Sequence, residues 1–184
     1  MVAMGIGELG APNIIIKRKF RFTIEFTTPC GFIPQHYVKS ASRPQLDIEE
    51  TELNFLNGVT WIPGKGKWQP MTVTYVDVAN AQMQGLYNWV ATVYEFGGPQ
   101  APINLRQSEK PGWNGTGRLR MYDGCGTPVE TWILKSCWPQ SINFGDLDYA
   151  DSETATIELT IRFSDVEYQG NCGVTTPQSC CRGC

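Results

Sequence analysis

A mainly β domain with a single α-helix is the fold class this sequence predicts, on three observations. Several runs alternate apolar and polar residues at every second position, one segment alone repeats apolar residues at helical spacing, and Gly, Pro, Asn and Asp cluster between them. At 184 residues, 41% hydrophobic and 11% aromatic, the chain is globular and long enough for one independent core. The pattern divides it into an N-terminal arm (1–16), a β domain (17–168) and a Cys-rich tail (169–184).

The arm is Gly-rich and weakly patterned. From Lys17 to Thr27 the alternation is strict, with Phe20, Phe22, Ile24 and Phe26 on one side and Lys19, Arg21, Thr23 and Glu25 on the other, and Pro29 to Gly31 close this first strand. Cys30 and His36 invite a nucleophile–base reading. Nothing in sequence orients the histidine, so a loop histidine and an ordinary thiol are the reading adopted. Leu46 to Leu56 sets Asp47, Glu49, Glu50 and Glu52 among Leu46, Ile48 and Leu53, which predicts a strand with one acidic face. Asn57-Gly58 supplies a tight hairpin turn, and Val59 to Ile62 returns as the partner strand. The run from Pro63 to Pro70 is expected to break that strand. With Trp61 and Trp68 it reads as a stiff arm carrying exposed aromatic weight, or else as a long hairpin folded back over its own core.

Met71 to Val78 is β-branched and reads as a strand; Asp77 or Asn80 can cap the helix that follows. In that helix Met83, Leu86, Tyr87, Val90 and Tyr94 form one apolar face, and Gly97-Gly98-Pro99 stops it. Gly98 to Gly117 is a long Pro-containing loop whose Asn114-Gly115-Thr116 matches a glycosylation triplet by chance. Arg118 to Tyr122 and Val129 to Lys135 pair across Asp123-Gly124-Cys125-Gly126. Trp138-Pro139 then leads through an Asp-rich connection into a terminal strand with Ile157, Leu159, Ile161 and Phe163 on its core face. At roughly 1.5 to 3 kcal/mol per large apolar side chain buried, that strand is central to the core.

The net charge of -3 and the absence of a long basic run argue against a dedicated nucleic-acid binder. No apolar stretch is long enough to span a membrane, and no export signal is recognisable. Phosphate-binding glycine loops, zincin helices and nucleophile elbows are missing, so no catalytic residue, metal site or cofactor is assigned. Of the 7 cysteines, Cys172, Cys180, Cys181 and Cys184 crowd the tail. Disulfides are expected there in preference to zinc, because a second Cys-x-x-Cys knuckle is lacking.

Three landmarks stand in a recognisable order: Lys19-Phe20-Arg21-Phe22, the segment Ile62-Pro63-Gly64-Lys65-Gly66-Lys67-Trp68-Gln69-Pro70-Met71-Thr72-Val73, and Trp138-Pro139 leading into the last strand. Together they resemble the tail tube proteins of contractile-tailed bacteriophages, related to the Hcp-like tube proteins, over Lys17 to Tyr168. The resemblance implies a β-sandwich closing toward a barrel with one flanking helix, and hexameric rings of the chain stacked into a hollow tube. It also implies a tail sheath outside, a baseplate and a tail terminator at the ends, DNA passing through the lumen without tight binding, and residence in the virion tail after assembly in the host cytoplasm. On that reading Trp61, Pro63, Gly64, Lys65, Lys67 and Trp68 reach a neighbouring ring or subunit, with the two tryptophans as anchors. Asp47 and Glu49 are expected to face the lumen, where an acidic wall does not retain DNA. The cysteine tail departs from the family pattern. An Hcp-like tube protein of a type VI or other contractile injection system, and a monomeric β-sandwich binding module, are the competing readings.

Overall fold

A computed structural model describes residues 17–33, 35–94, 113–150 and 152–170. Ten strands and one α-helix are found among them, in the order β1 (Phe22–Thr28), β2 (Gly31–Ile33), β3 (Val38–Ala41), β4 (Leu46–Phe55), β5 (Gly58–Trp68), β6 (Met71–Val76), α1 (Ala81–Val93), β7 (Gly115–Tyr122), β8 (Pro128–Asn143), β9 (Thr156–Arg162) and β10 (Asp165–Gly170), with a single 3-10 turn at Gln35–Tyr37. All pairings are antiparallel. Eight strands form one folded sheet in the path β2-β1-β7-β8-β9-β6-β3, with β10 also on β8; β4 and β5 form a separate ribbon. The path ends at β2 and β3 with no ladder joining them among the described residues, so the architecture is sandwich-like and stops short of a closed barrel.

The longest strand explains how one sheet becomes two layers. The first part of β8 pairs with β7 and β10, and its second part pairs with β9. Between them Ser136 takes φ 53, a left-handed value uncommon outside glycine, and Pro139, which has no N–H for the ladder, is followed by a register shift before Ser141. The bend faces the two halves of the sheet toward each other. Ile24, Phe26, Ile33, Leu119 and Leu134 from one layer meet Met71, Val73, Tyr75, Ile157, Leu159 and Ile161 from the other in a single core.

The helix begins where Asn80 Oδ1 accepts the Met83 N–H at 2.8 Å, so Asn80 is the cap of the two residues expected for that role. Met83, Leu86, Trp89 and Val90 are buried against the sheets, and the helix lies beside β2 and β8. Trp89 packs its ring 5.8 Å from Phe26 and donates its indole N–H to the Trp113 carbonyl.

The terminal alternation is as expected, with Ile157, Leu159, Ile161 and Phe163 all buried. Five expectations need correction. Phe20 is exposed in a turn closed by Arg21 N–H on the Arg18 carbonyl, and regular pairing begins only at Phe22, opposite Met121. The run from Pro63 to Pro70 breaks its strand only at its end, because β5 continues to Trp68 by absorbing the irregularity near Gly64 and Lys65 as a bulge. Trp138-Pro139 lies inside a strand, and Gly115 and Gly117 belong to β7 rather than to the preceding loop. A further strand, β10, follows the one expected to be last. Tyr94 is half-exposed at the helix end, and the expected stop at Gly97-Gly98-Pro99 lies outside the described residues.

Candidate assembly interface

Strands β3 and β6 are hydrogen-bonded neighbours, so residues 42–70 are the loop of a hairpin, and that loop is itself the β4–β5 ribbon. Register fixes which side chains share a face, since directly paired residues project the same way. Trp61 pairs with Glu52 and Val59 with Asn54, on the face that also carries Ile48 and Leu46. Ile62 pairs with Thr51 and Leu53 with Thr60, on the opposite face with Phe55. Every residue from Leu46 to Lys67 is exposed, including Phe55 at 64% and Trp61 at 56%. An isolated two-stranded ribbon is marginal in water. This one carries large apolar groups on both faces and buries neither against its own domain.

Its root is firmly held. Trp68 is half-buried against the core, its ring 6.1 Å from Phe163, and Gln69 N–H donates to the Gln45 carbonyl at 2.9 Å. Asp47 accepts from Gln69 Nε2 at 2.6 Å and from Gln45 Nε2 at 3.2 Å. Further out, Gly64 and Lys65 together oppose Glu49 in the bulge between the Ile48 and Glu50 pairs. A Cβ on Gly64 would sit 3.1 Å from the Glu49 carbonyl, which accounts for glycine there.

The segment entering β1 is anchored beside this root by Glu130, a carboxylate 3% exposed. Lys17 Nζ and Trp132 Nε1 both donate to it, and Arg43, in the link from β3 to β4, lies 3.7 Å away. Burial pushes the Glu130 pKa up, but Lys17, Trp132 and Arg43 outweigh it and hold the group below the usual carboxylate range. One buried acid thus fixes both Lys17 and the base of the hairpin.

Of the expected interface residues, Trp61, Pro63, Gly64, Lys65 and Lys67 lie on the projecting ribbon, as do Asp47 and Glu49, which share a face of β4. Glu50 and Glu52 lie on the other face, because strand alternation separates them from Asp47 and Glu49, so the single acidic face expected for β4 does not form. Trp68 does not join them as a free anchor, because the core already claims one side of its ring. The tail cysteines Cys172, Cys180, Cys181 and Cys184 lie outside the described residues. Cys30 and Cys137 are free thiols, and burial pushes that of Cys137 up to about 12. No group of metal-ligating side chains is found among the described residues, and no helix there is long and apolar enough to cross a membrane. Sequence reading missed the apolar weight of Leu53, Phe55 and Ile62; their alternation was visible, but a half-buried strand would show the same pattern. It also missed Glu130, whose charged partners Lys17 and Arg43 are distant in sequence.

Residues 18–167 match the model of the T4-like virus tail tube protein gp19 family. The chain belongs to this tail tube family. The tail tube fold also matches chains in solved structures. One, at 18% identity and TM-score 0.65, comes from the sheath/tube terminator of an extracellular contractile injection system (PVC) in its extended state, covering 85% of this chain and 99% of that one. A second, at 19% identity and TM-score 0.63, comes from the tube-terminating cap of the anti-feeding prophage, covering 85% and 93%. A third is an Hcp protein at 12% identity and TM-score 0.52, covering 83% and 93%. At these identities the likeness is one of fold. No curated protein matches the tail tube chain in sequence.

Proposed function

We propose that this chain is the protomer of the inner tube of a contractile tail, forming hexameric rings that stack around a lumen through which a phage genome passes during ejection. The observation that carries the reading is the β4–β5 ribbon of a tail tube family member, apolar on both faces and covered on neither by its own domain. Exposed apolar area of this kind marks a surface made to be covered, and closed rotational symmetry turns open sheet edges into a defined ring. Trp61, Pro63, Gly64, Lys65 and Lys67 contact the neighbouring ring or subunit on this reading. Asp47 and Glu49 line the lumen, and the acidic balance of the chain suits a wall that lets DNA slide.

The partners follow from related assemblies. The fold matches chains from a sheath-tube complex, a baseplate and a tube cap of contractile injection particles. We extend these to a sheath outside this tube and a baseplate and terminator at its ends, in a virion assembled in the host cytoplasm. We assign the chain no catalytic role and no cofactor. A second reading, the tube of a type VI or other contractile injection system, is favoured by those same fold matches and differs in what the lumen carries. Disulfides among Cys172, Cys180, Cys181 and Cys184 are proposed to lock assembled copies, which predicts multimers on non-reducing gels that collapse with reductant. The deciding experiment is negative-stain imaging with sedimentation velocity of concentrated protein. Rings or tubes are expected, and lone compact particles under both reducing and oxidising conditions would overturn the proposal.

A further inference from the structure

Two segments at opposite ends of β8 carry opposite charge. Near its start, where Glu130 holds Lys17, the segment entering β1 presents Lys17, Arg18, Lys19 and Arg21 around an exposed Phe20, with the Arg21 guanidinium 5.4 Å from the Phe20 ring centre. That stretch contains no acidic residue. From the other end of β8 leaves the connection to β9, which carries Asp146 and Asp148 beside Leu147 and Tyr149. Leu147 and Tyr149 are among the most exposed apolar groups described, at 89% and 111%. Residues 144–150 contain no basic side chain.

This loop is held in place at its base. Phe144 stacks on Tyr87 with the rings 2° from parallel, Asp77 N–H donates to the Ala155 carbonyl, and Asp148 Oδ1 accepts the Ala150 N–H. An anchored loop that leaves two large apolar side chains in water, flanked by carboxylates, is complementary to an anchored turn that leaves a phenylalanine in water, flanked by cations. The two surfaces belong to different ends of the same strand, so within one copy they stay apart.

We infer that residues 144–150 of one copy dock onto residues 18–21 of the next, Leu147 and Tyr149 covering Phe20 while Asp146 and Asp148 face Arg18, Lys19 and Arg21. The contact is heterologous, joining unlike ends, so it does not close a pair but builds either a ring or an open stack, and we assign it to the stack. The inference rests on the tube reading and adds to it a second contact, distinct from the hairpin, that gives the stack its direction. Charge across an interface mainly fixes partner choice and register. The loop is therefore assigned to setting polarity and the ribbon to adhesion.

The test uses the full reduced chain at low and high salt, read by sedimentation velocity and negative stain, with thermal melts confirming that each variant folds. Reversing the loop (D146K/D148K) gives copies with two basic ends, and reversing the turn (R18E/K19E) gives copies with two acidic ends. Each variant alone is expected to need at least a tenfold higher concentration to assemble. An equimolar mixture of the two, and the chain carrying all four changes, are expected to regain wild-type assembly, since unlike ends can again meet. High salt is expected to weaken wild-type stacking as the Debye length shrinks. Variants that assemble as wild type does, or a mixture and fourfold variant that stay dispersed, would overturn the pairing and leave the tube reading standing. A wild-type chain that never assembles would sink the tube reading and this inference with it.

Discussion

At Gly117 a missing side chain decides the packing of the core. A Cβ there would lie 2.7 Å from the Phe26 ring and 3.0 Å from Leu134, because the Phe26 ring crosses β7 at that point. Gly117→Ala is therefore expected to cost about 1–3 kcal/mol of overpacking, seen as a lower urea midpoint with an unchanged slope. Glu130 gives a prediction with a sign. Its folded pKa is depressed, so its stabilising contribution is present above the ordinary carboxylate range and is lost as pH falls through the lower folded value. Glu130→Gln should be less stable at neutral pH by about 1–3 kcal/mol, and its deficit should shrink on acidification in pH-dependent melts. Neither residue announced itself in sequence. Glycine in a strand reads as a loop until the ring above it is known, and a glutamate in an alternating run reads as solvent-facing until Lys17 and Arg43 arrive from elsewhere.

Among the elements, those with strong period were legible: the burial of β9, and the helix with Asn80 as one of two candidate caps. The β4–β5 hairpin was legible too, but its turn is Leu56-Asn57 rather than Asn57-Gly58, since Phe55 pairs with Gly58 and neither Asn57 nor Gly58 takes a positive φ. The short strands β2, β3 and β10 were not, because three to six residues give too few alternations, and their pairing is decided by neighbours distant in sequence. The β4–β5 ribbon was readable as a hairpin, but its relation to the core was not. Alternation cannot tell a face buried by its own domain from one buried by another copy. Trp61 and Trp68 now separate. Trp68→Ala should lower stability by about 2 kcal/mol through lost packing on Phe163. Trp61→Ala should leave the melt within about 0.5 kcal/mol of wild type while raising the concentration needed for tubes, with calorimetry and sedimentation reading the two effects separately.

At the scale of the whole molecule, the fold is a β domain with a ribbon inserted into one of its hairpins. Because β3 and β6 pair directly, Ser42 N–H already bonds the Thr72 carbonyl, and Arg43 and Trp68 at the root supply the contacts to the core, the core does not depend on the ribbon beyond that root. Replacing residues 47–66 by a short Gly/Ser turn is expected to leave a folded, cooperatively melting monomer that forms no tubes at any concentration. Loss of folding in that deletion would show that the ribbon helps to hold the domain. The alternation and the one helix made the class of this architecture visible in advance. What they could not convey was the bend at Ser136, where the chain commits one strand to two layers.

A ribbon greasy on both sides cannot be satisfied by two molecules. When one neighbour arrives, half of the apolar area still faces water, and only a third participant shields the rest. Early clusters therefore shed members faster than they recruit them, whereas a tip that already presents prepared seats gains from every arrival. Growth should accordingly show a lag that seeds abolish, and subunits should wait in solution until a starting platform offers them both halves of the seat at once.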